Sequence, residues 1–130
     1  MNISDQNLKP EVIDLEGIWY RGGFGFKLEK DKTGSVHDNF EHDICPIISD
    51  HKLIKFWNNI EKLGVWNWHK KYPYWKQKYE PLTDGCSWQL KLRNREGKAK
   101  FCKGYESFPR NFKKLINELN QLFESNVEWR

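Results

Sequence analysis

His37, Asp38, His42 and Asp43 are the densest set of metal-ligand types in the chain, and zinc or another divalent ion takes such donors when they converge on one point. Placed on one strand, His37 and His42 project to opposite faces and share no ion with Asp38 unless a bulge intervenes. Asp84, followed by Glu96-Gly97-Lys98, resembles the acidic-plus-E-x-K arrangement that holds magnesium in many nucleases. Glu96 and Lys98 fall in a hairpin turn, which keeps the carboxylates apart, and Asp84-Gly85 reads more simply as a turn. Cys86 or Cys102 would need a base to act as a nucleophile, and His69 is the histidine of the aromatic segment that pairs with Cys86 in such a scheme. No G-x-S-x-G, H-E-x-x-H, phosphate-loop or dinucleotide fingerprint occurs. The reading is a chain leaning away from enzymes, with no catalytic residues, no metal and no cofactor.

Recognition chemistry is better represented. Trp66, Trp68, Tyr72, Tyr74, Trp75 and Tyr79 are interleaved with Lys70, Lys71, Lys76 and Lys78. Such a mixture suits a protein interface, where aromatic anchors carry most of the energy, or single-stranded nucleic acid, where rings stack on bases and lysines meet phosphates. Trp66 and Trp68, two apart, face the same side if extended, which favours a role in plugging the core and leaves Tyr72, Tyr74 and Trp75 for exposure. Charge agrees with an anionic partner. Residues 1–61 carry 11 acidic and 7 basic side chains, and residues 62–130 carry 7 acidic and 15 basic ones. The run from Lys91 to Lys114 holds only Glu96 and Glu106 against Lys91, Arg93, Arg95, Lys98, Lys100, Lys103, Arg110, Lys113 and Lys114. A solvated lysine-rich strand that resists edge pairing is the simpler alternative. The expected contact set is Lys70, Lys71, Tyr72, Tyr74, Trp75 and Lys76, rimmed by Arg93, Arg95 and Lys100.

These side chains must be positioned by a small number of elements. Phe24, Phe26 and Leu28 alternate with Gly25, Lys27 and Glu29 as a half-buried strand, a turn follows at Asp31-Lys32-Thr33-Gly34, and Val36, Phe40 and Ile44 outline a partner strand. Ser49 or Asp50 caps a helix carrying Leu53, Phe56, Trp57, Ile60 and Leu63, which Gly64 ends. The pattern recurs: Trp88, Leu90 and Leu92, a turn at 94–97, Ala99 and Phe101, then a helix capped by Ser107 with Phe112, Leu115, Ile116, Leu119, Leu122 and Phe123 as its stripe. The expected fold is α+β, ββαββα, with an antiparallel sheet of about four strands and two helices on one face. With Arg93 opposite Lys98, Leu90 faces Phe101 and Cys102 faces Gln89, so Cys86 and Cys102 lie on opposite sides. Arg21-Gly22-Gly23-Phe24-Gly25-Phe26 has the look of the aromatic strand of an RNA-recognition fold, but Lys27 and Glu29 break the match and too few residues precede it. Those glycines are read as a bulge or a close approach of strand and helix.

At 130 residues the chain has the size of one domain, with residues 1–16 read as a loosely ordered N-terminal segment. Aliphatic content is modest and aromatics make up 15%, so rings must supply much of the buried area. The start lacks the basic, apolar and small-residue regions of a secretory signal, and no run approaches the roughly 20 apolar residues that span a bilayer. A cytoplasmic location without membrane contact is expected. Cys45, Cys86 and Cys102 show no C-x-x-C spacing and are read as buried reduced thiols.

The sequence Trp66-x-Trp68, Tyr72, Asp84-Gly85-x-x-Trp88-x-Leu90-x-Leu92, Gly97, Gly104 and Phe108-Pro109-x-x-Phe112-x-x-Leu115 resembles a family of small uncharacterised bacterial and phage domains, over roughly residues 53–123. Gly104-Tyr105-Glu106-Ser107 departs from the Gly-Asn that opens this segment in the family. The resemblance implies an α+β architecture and a bacterial or phage origin, and no chemistry. The function expected is a small non-enzymatic binder of a protein partner, in the manner of an immunity protein or an inhibitor, with nucleic acid as the alternative partner and a metal-dependent nuclease or hydrolase ranked below both.

Overall fold

A computed structural model describes residues 10–19, 22–39, 41–73 and 86–128. Its elements in chain order are β1 (Val12–Trp19), β2 (Gly22–Leu28), β3 (Gly34–Asp38), β4 (Glu41–Cys45), α1 (Asp50–Leu63), a 3-10 turn (Val65–Asn67), β5 (Lys71–Tyr72), β6 (Ser87–Arg93), β7 (Ala99–Tyr105) and α2 (Phe112–Phe123). Among the described residues the sheet has seven strands in the order β4-β3-β2-β1-β6-β7-β5. Neighbours pair antiparallel except β5, which runs parallel to β7, so the sheet is mixed. The architecture is α+β as expected, but the sheet is larger than four strands and not wholly antiparallel.

One face of this sheet carries the core. Ile13 and Leu15 of β1, Phe24 and Phe26 of β2, Val36 of β3, Trp88, Leu90 and Leu92 of β6 and Cys102 of β7 are all buried, in a single cluster with the stripes of both helices. Period-2 alternation along each strand produces that face. Large rings need space on a pleated surface, and glycine supplies it directly across the ladder. Trp88 lies over its partner Gly104, where an added Cβ would stand 2.6 Å from the indole Cε2. Trp88 Nε1 donates to the Ser107 carbonyl at 2.8 Å, so the buried indole N–H is satisfied.

α1 follows its local signals closely. The Ser49 side chain accepts from Lys52 N–H, and Gly64 in the left-handed region (φ 75°) closes the helix. α2 does not: it starts at Phe112 rather than after Ser107, and its cap is Asn111, whose Nδ2 reaches the Leu63 carbonyl at 3.2 Å instead of its own first turn. Asn120 of α2 ties down the following segment, accepting from Val127 N–H and Ser125 Oγ–H and donating to the Val127 carbonyl.

Several expectations require correction. Residues 12–16, grouped above with the N-terminal segment, belong to β1, the strand between β2 and β6. The strand drawn through Val36 and Ile44 is two strands, β3 and β4, reversed near Asn39, which adopts a left-handed conformation (φ 57°). Val36 is buried, while Ile44, paired with Ser35, points to the opposite face and is 72% exposed. The β6–β7 register is shifted by one: Leu90 faces Cys102 and Arg93 faces Ala99. Asn94 is the cause, because its Oδ1 accepts from both Glu96 N–H and Lys98 N–H, and Asn94 itself pairs with Lys98 to close the turn. Cys86 and Cys102 therefore share the inward side rather than lying on opposite sides, and both are free thiols, as is Cys45. The Gly22–Gly25 segment forms an unbroken ladder with β1, without a bulge, and Phe24 and Phe26 are buried in the core. Arg21, Phe40, Tyr74, Trp75, Lys76, Lys78, Tyr79 and Asp84 lie outside the described residues.

Candidate functional site: the open face of the sheet

The face opposite the helices is built by the remaining alternate positions. Register places Glu16, Gln89, Lys103 and Lys71 in one row across β1, β6, β7 and β5. In the other direction the row continues through Gly25 of β2 to His37 of β3 and His42 of β4. A parallel row holds Asp14, Lys91 and Phe101, and another holds Ile18, Ser87 and Tyr105. The β6–β7–β5 end is thus lysine-rich, and the carboxylates of this face sit on β1.

His37 and His42 come out on the same face, directly paired, which overturns the expectation of opposite faces. The reversal near Asn39 puts them on two strands instead of one. The His37 ring lies against Gly25, and His42 Nε2 is 2.9 Å from Ser35 Oγ. Asp38, opposite Phe24, belongs to the other face. Among the described residues no group of three or more His, Cys, Asp and Glu side chains is arranged to hold a metal ion.

A cleft of about 460 Å³ opens at the lysine-rich end, bounded by Ile18, Lys71, Tyr72, Pro73, Lys103 and Tyr105. Two neighbouring tryptophans of the aromatic segment lie outside its lining. Trp66 stacks on Trp57 and Trp68 on Phe112, both packed into the core from a 3-10 turn rather than an extended strand. Tyr72 follows them inward. It is 6% exposed, its hydroxyl accepts from His69 N–H at 3.1 Å, and its ring packs 5.9 Å from Trp88. Tyr72 is therefore a wall of the cleft and not an exposed contact. His69 is engaged with Tyr72 in an edge-on ring contact, and the buried Cys86 thiol donates to the Ser87 carbonyl at 3.8 Å.

Of the expected contact residues, the fold brings Lys70 and Lys71 to the same exposed corner, where the Lys70 carbonyl accepts from Lys103 N–H. Arg93 lies on the open face at the far end of β6. Arg95 is turned away, 3.6 Å from Asp50 and 3.9 Å from Glu11, where it ties the β6–β7 turn to α1 and to the residue that precedes β1. Lys100 is opposite Leu92 and so falls on the helix-side set of β7. Tyr74, Trp75 and Lys76 are outside the described residues. Sequence reasoning passed over Glu16, Ile18, Gln89, Lys91, Phe101, Lys103 and Tyr105 as a set. The alternation Gln89-x-Lys91-x-Arg93 was the available signal, but placing Phe101 beside it needs the correct register.

Two titrating groups reflect the two faces. Burial pushes Cys102 up to about 11, so this thiol stays protonated at neutral pH. Partial burial raises Asp14 above the ordinary carboxylate range, against the opposing pull of Lys27 and Lys91. Comparison of the chain with family models, curated proteins and solved structures gives no match, so the functional reading rests on this geometry. Among the described residues no helix is long and apolar enough to cross a membrane.

Proposed function

We propose that this chain is a non-enzymatic binding protein that engages an acidic protein surface through the open face at β6 and β7, in the manner of an immunity protein or inhibitor from bacteria or phage. The observation that carries the reading is Phe101, an aromatic side chain 53% exposed on a strand, paired across the ladder with Lys91. An exposed large ring gains most when a partner desolvates it, and flanking lysines supply charge complementarity and a faster encounter. The partner-facing set is Lys91, Phe101, Lys103 and Arg93, with Lys70 and Lys71 at its edge.

The test is capture of partners from the source lysate by the tagged protein, with nuclease present, compared with Phe101→Ala and Lys91→Glu variants. A protein retained by the native chain and lost at least tenfold from both variants supports the reading. Equal retention by all three removes this face from consideration. A nucleic-acid partner is the second reading, favoured by Lys70, Lys71, Lys91 and Lys103 crowding one corner. It requires nuclease-sensitive retention whose affinity falls steeply with salt, because each neutralised phosphate releases counterion.

A further inference from the structure

The cleft beside this face has a charge arrangement that a solvated surface does not require. Lys71 and Lys103 are directly paired on the parallel strands β5 and β7, and both side chains are exposed on the same side. Like charges directly opposite one another on a sheet are unfavourable. Among the described residues, neither ammonium has a carboxylate within ion-pair distance, and the ion pairs found there involve Lys32, Lys52, Arg95 and Lys98 instead. Glu16, the carboxylate of the same row, is held off by Gln89, which stands between it and Lys103. The adjacent row is different in kind. Ile18, 54% exposed, and the Tyr105 side chain flank the small Ser87, and Pro73 closes the side next to Lys71.

A cleft with two uncompensated cations along one wall and an apolar floor along the other matches a small ligand with both characters. We propose that this cleft binds a small amphipathic anion: a flat apolar group, aromatic or compact aliphatic, bearing a carboxylate, sulfonate or phosphate. The anionic end lies between Lys71 and Lys103, and the apolar body rests against Ile18 and Tyr105. Glu16 repels an anion at the β1 end, which fixes the ligand's direction. The volume of about 460 Å³ suits a molecule of one to three rings and excludes a folded domain. This inference stands without the protein-partner reading, whose deciding residue is Phe101.

The probe is 8-anilinonaphthalene-1-sulfonate, followed by fluorescence against the native full chain at fixed ionic strength. The expected result is saturable binding of one probe per chain, weakened at least tenfold in Lys71→Gln/Lys103→Gln and, separately, in Ile18→Glu. Lys113→Gln/Lys114→Gln, on the exposed side of α2, should bind like the native chain. Circular dichroism serves to check that each variant is folded, and because the changed side chains are exposed, a folding defect is not expected. Naphthalene-1-sulfonate should displace the probe, and sodium sulfate should do so no better than sodium chloride of equal ionic strength. No saturable binding, binding unchanged in both cleft variants, or equal displacement by inorganic sulfate would each overturn the proposal. None of these outcomes bears on partner capture through Phe101.

Discussion

Along β1 and β6, Ile13, Leu15, Leu90 and Leu92 are almost wholly removed from water, while their immediate chain neighbours Asp14, Glu16, Gln89 and Lys91 line the open face. Glycine shows the same division. Gly104 lets the indole of Trp88 sink into the core, whereas Gly25 lets the imidazole of His37 lie against the outer surface. Because side chains alternate, stability and recognition are written in interleaved positions of one strand and are separable by single substitutions.

The sharpest way to break that separation is to truncate neighbours on β1. Leu15→Ala should cost about 2–5 kcal/mol in urea unfolding, since a fully buried side chain leaves both lost transfer energy and a cavity. Glu16→Gln, one residue on, should stay within about 0.5 kcal/mol. Equal effects at the two positions would mean that the outer face is structural.

Cys102 sharpens the contrast on β7. The unfolded thiol loses its proton above its ordinary value of 9.0, while the folded one keeps it to about 11. The native state therefore binds the extra proton across that window, and its stability, fully present below pH 9, should fall on the order of 2 kcal/mol as pH rises through it. Alkaline denaturation of Cys102→Ala should lack this part of the slope. At pH 8 iodoacetamide should label Cys102 only after the protein is unfolded.

Asp14 offers the smallest effect. Its folded carboxyl is raised, with burial the largest cause, so the native state holds its proton more tightly than the unfolded chain does. That stabilisation is complete only below the ordinary 3.8 and is lost as pH rises past the folded value. Asp14→Asn should accordingly gain less than about 1 kcal/mol at pH 7, and the gain should vanish in acid. A loss at pH 7 would show that Lys27 and Lys91 outweigh burial.

Legibility followed locality. α1 could be read from Ser49, its apolar stripe and Gly64, because its caps bond within its own turns. α2 could be read only in its stripe, since Asn111 spends its side chain on another element. β1 escaped notice because its third inward residue is Gly17 and both of its partners are distant in sequence. The candidate site was the least visible part. Lys71, Lys103 and Gln89 meet only through a two-residue parallel strand, and Phe101 faces outward only because Asn94 lengthens the β6–β7 turn by one pairing step.

The position of β1 sets an order of assembly. It is the first of the described strands, yet one of its edges waits for β6, so Ile18 meets Ser87 and Val12 meets Arg93 only after a loop on the order of 70 residues has closed. During synthesis the meander β1–β4 can form while that edge still shows unpaired backbone groups and the apolar face has only α1 to cover it. Early intermediates of this chain should thus be slow to complete and prone to associate through β1, until the second half arrives to occupy the gap.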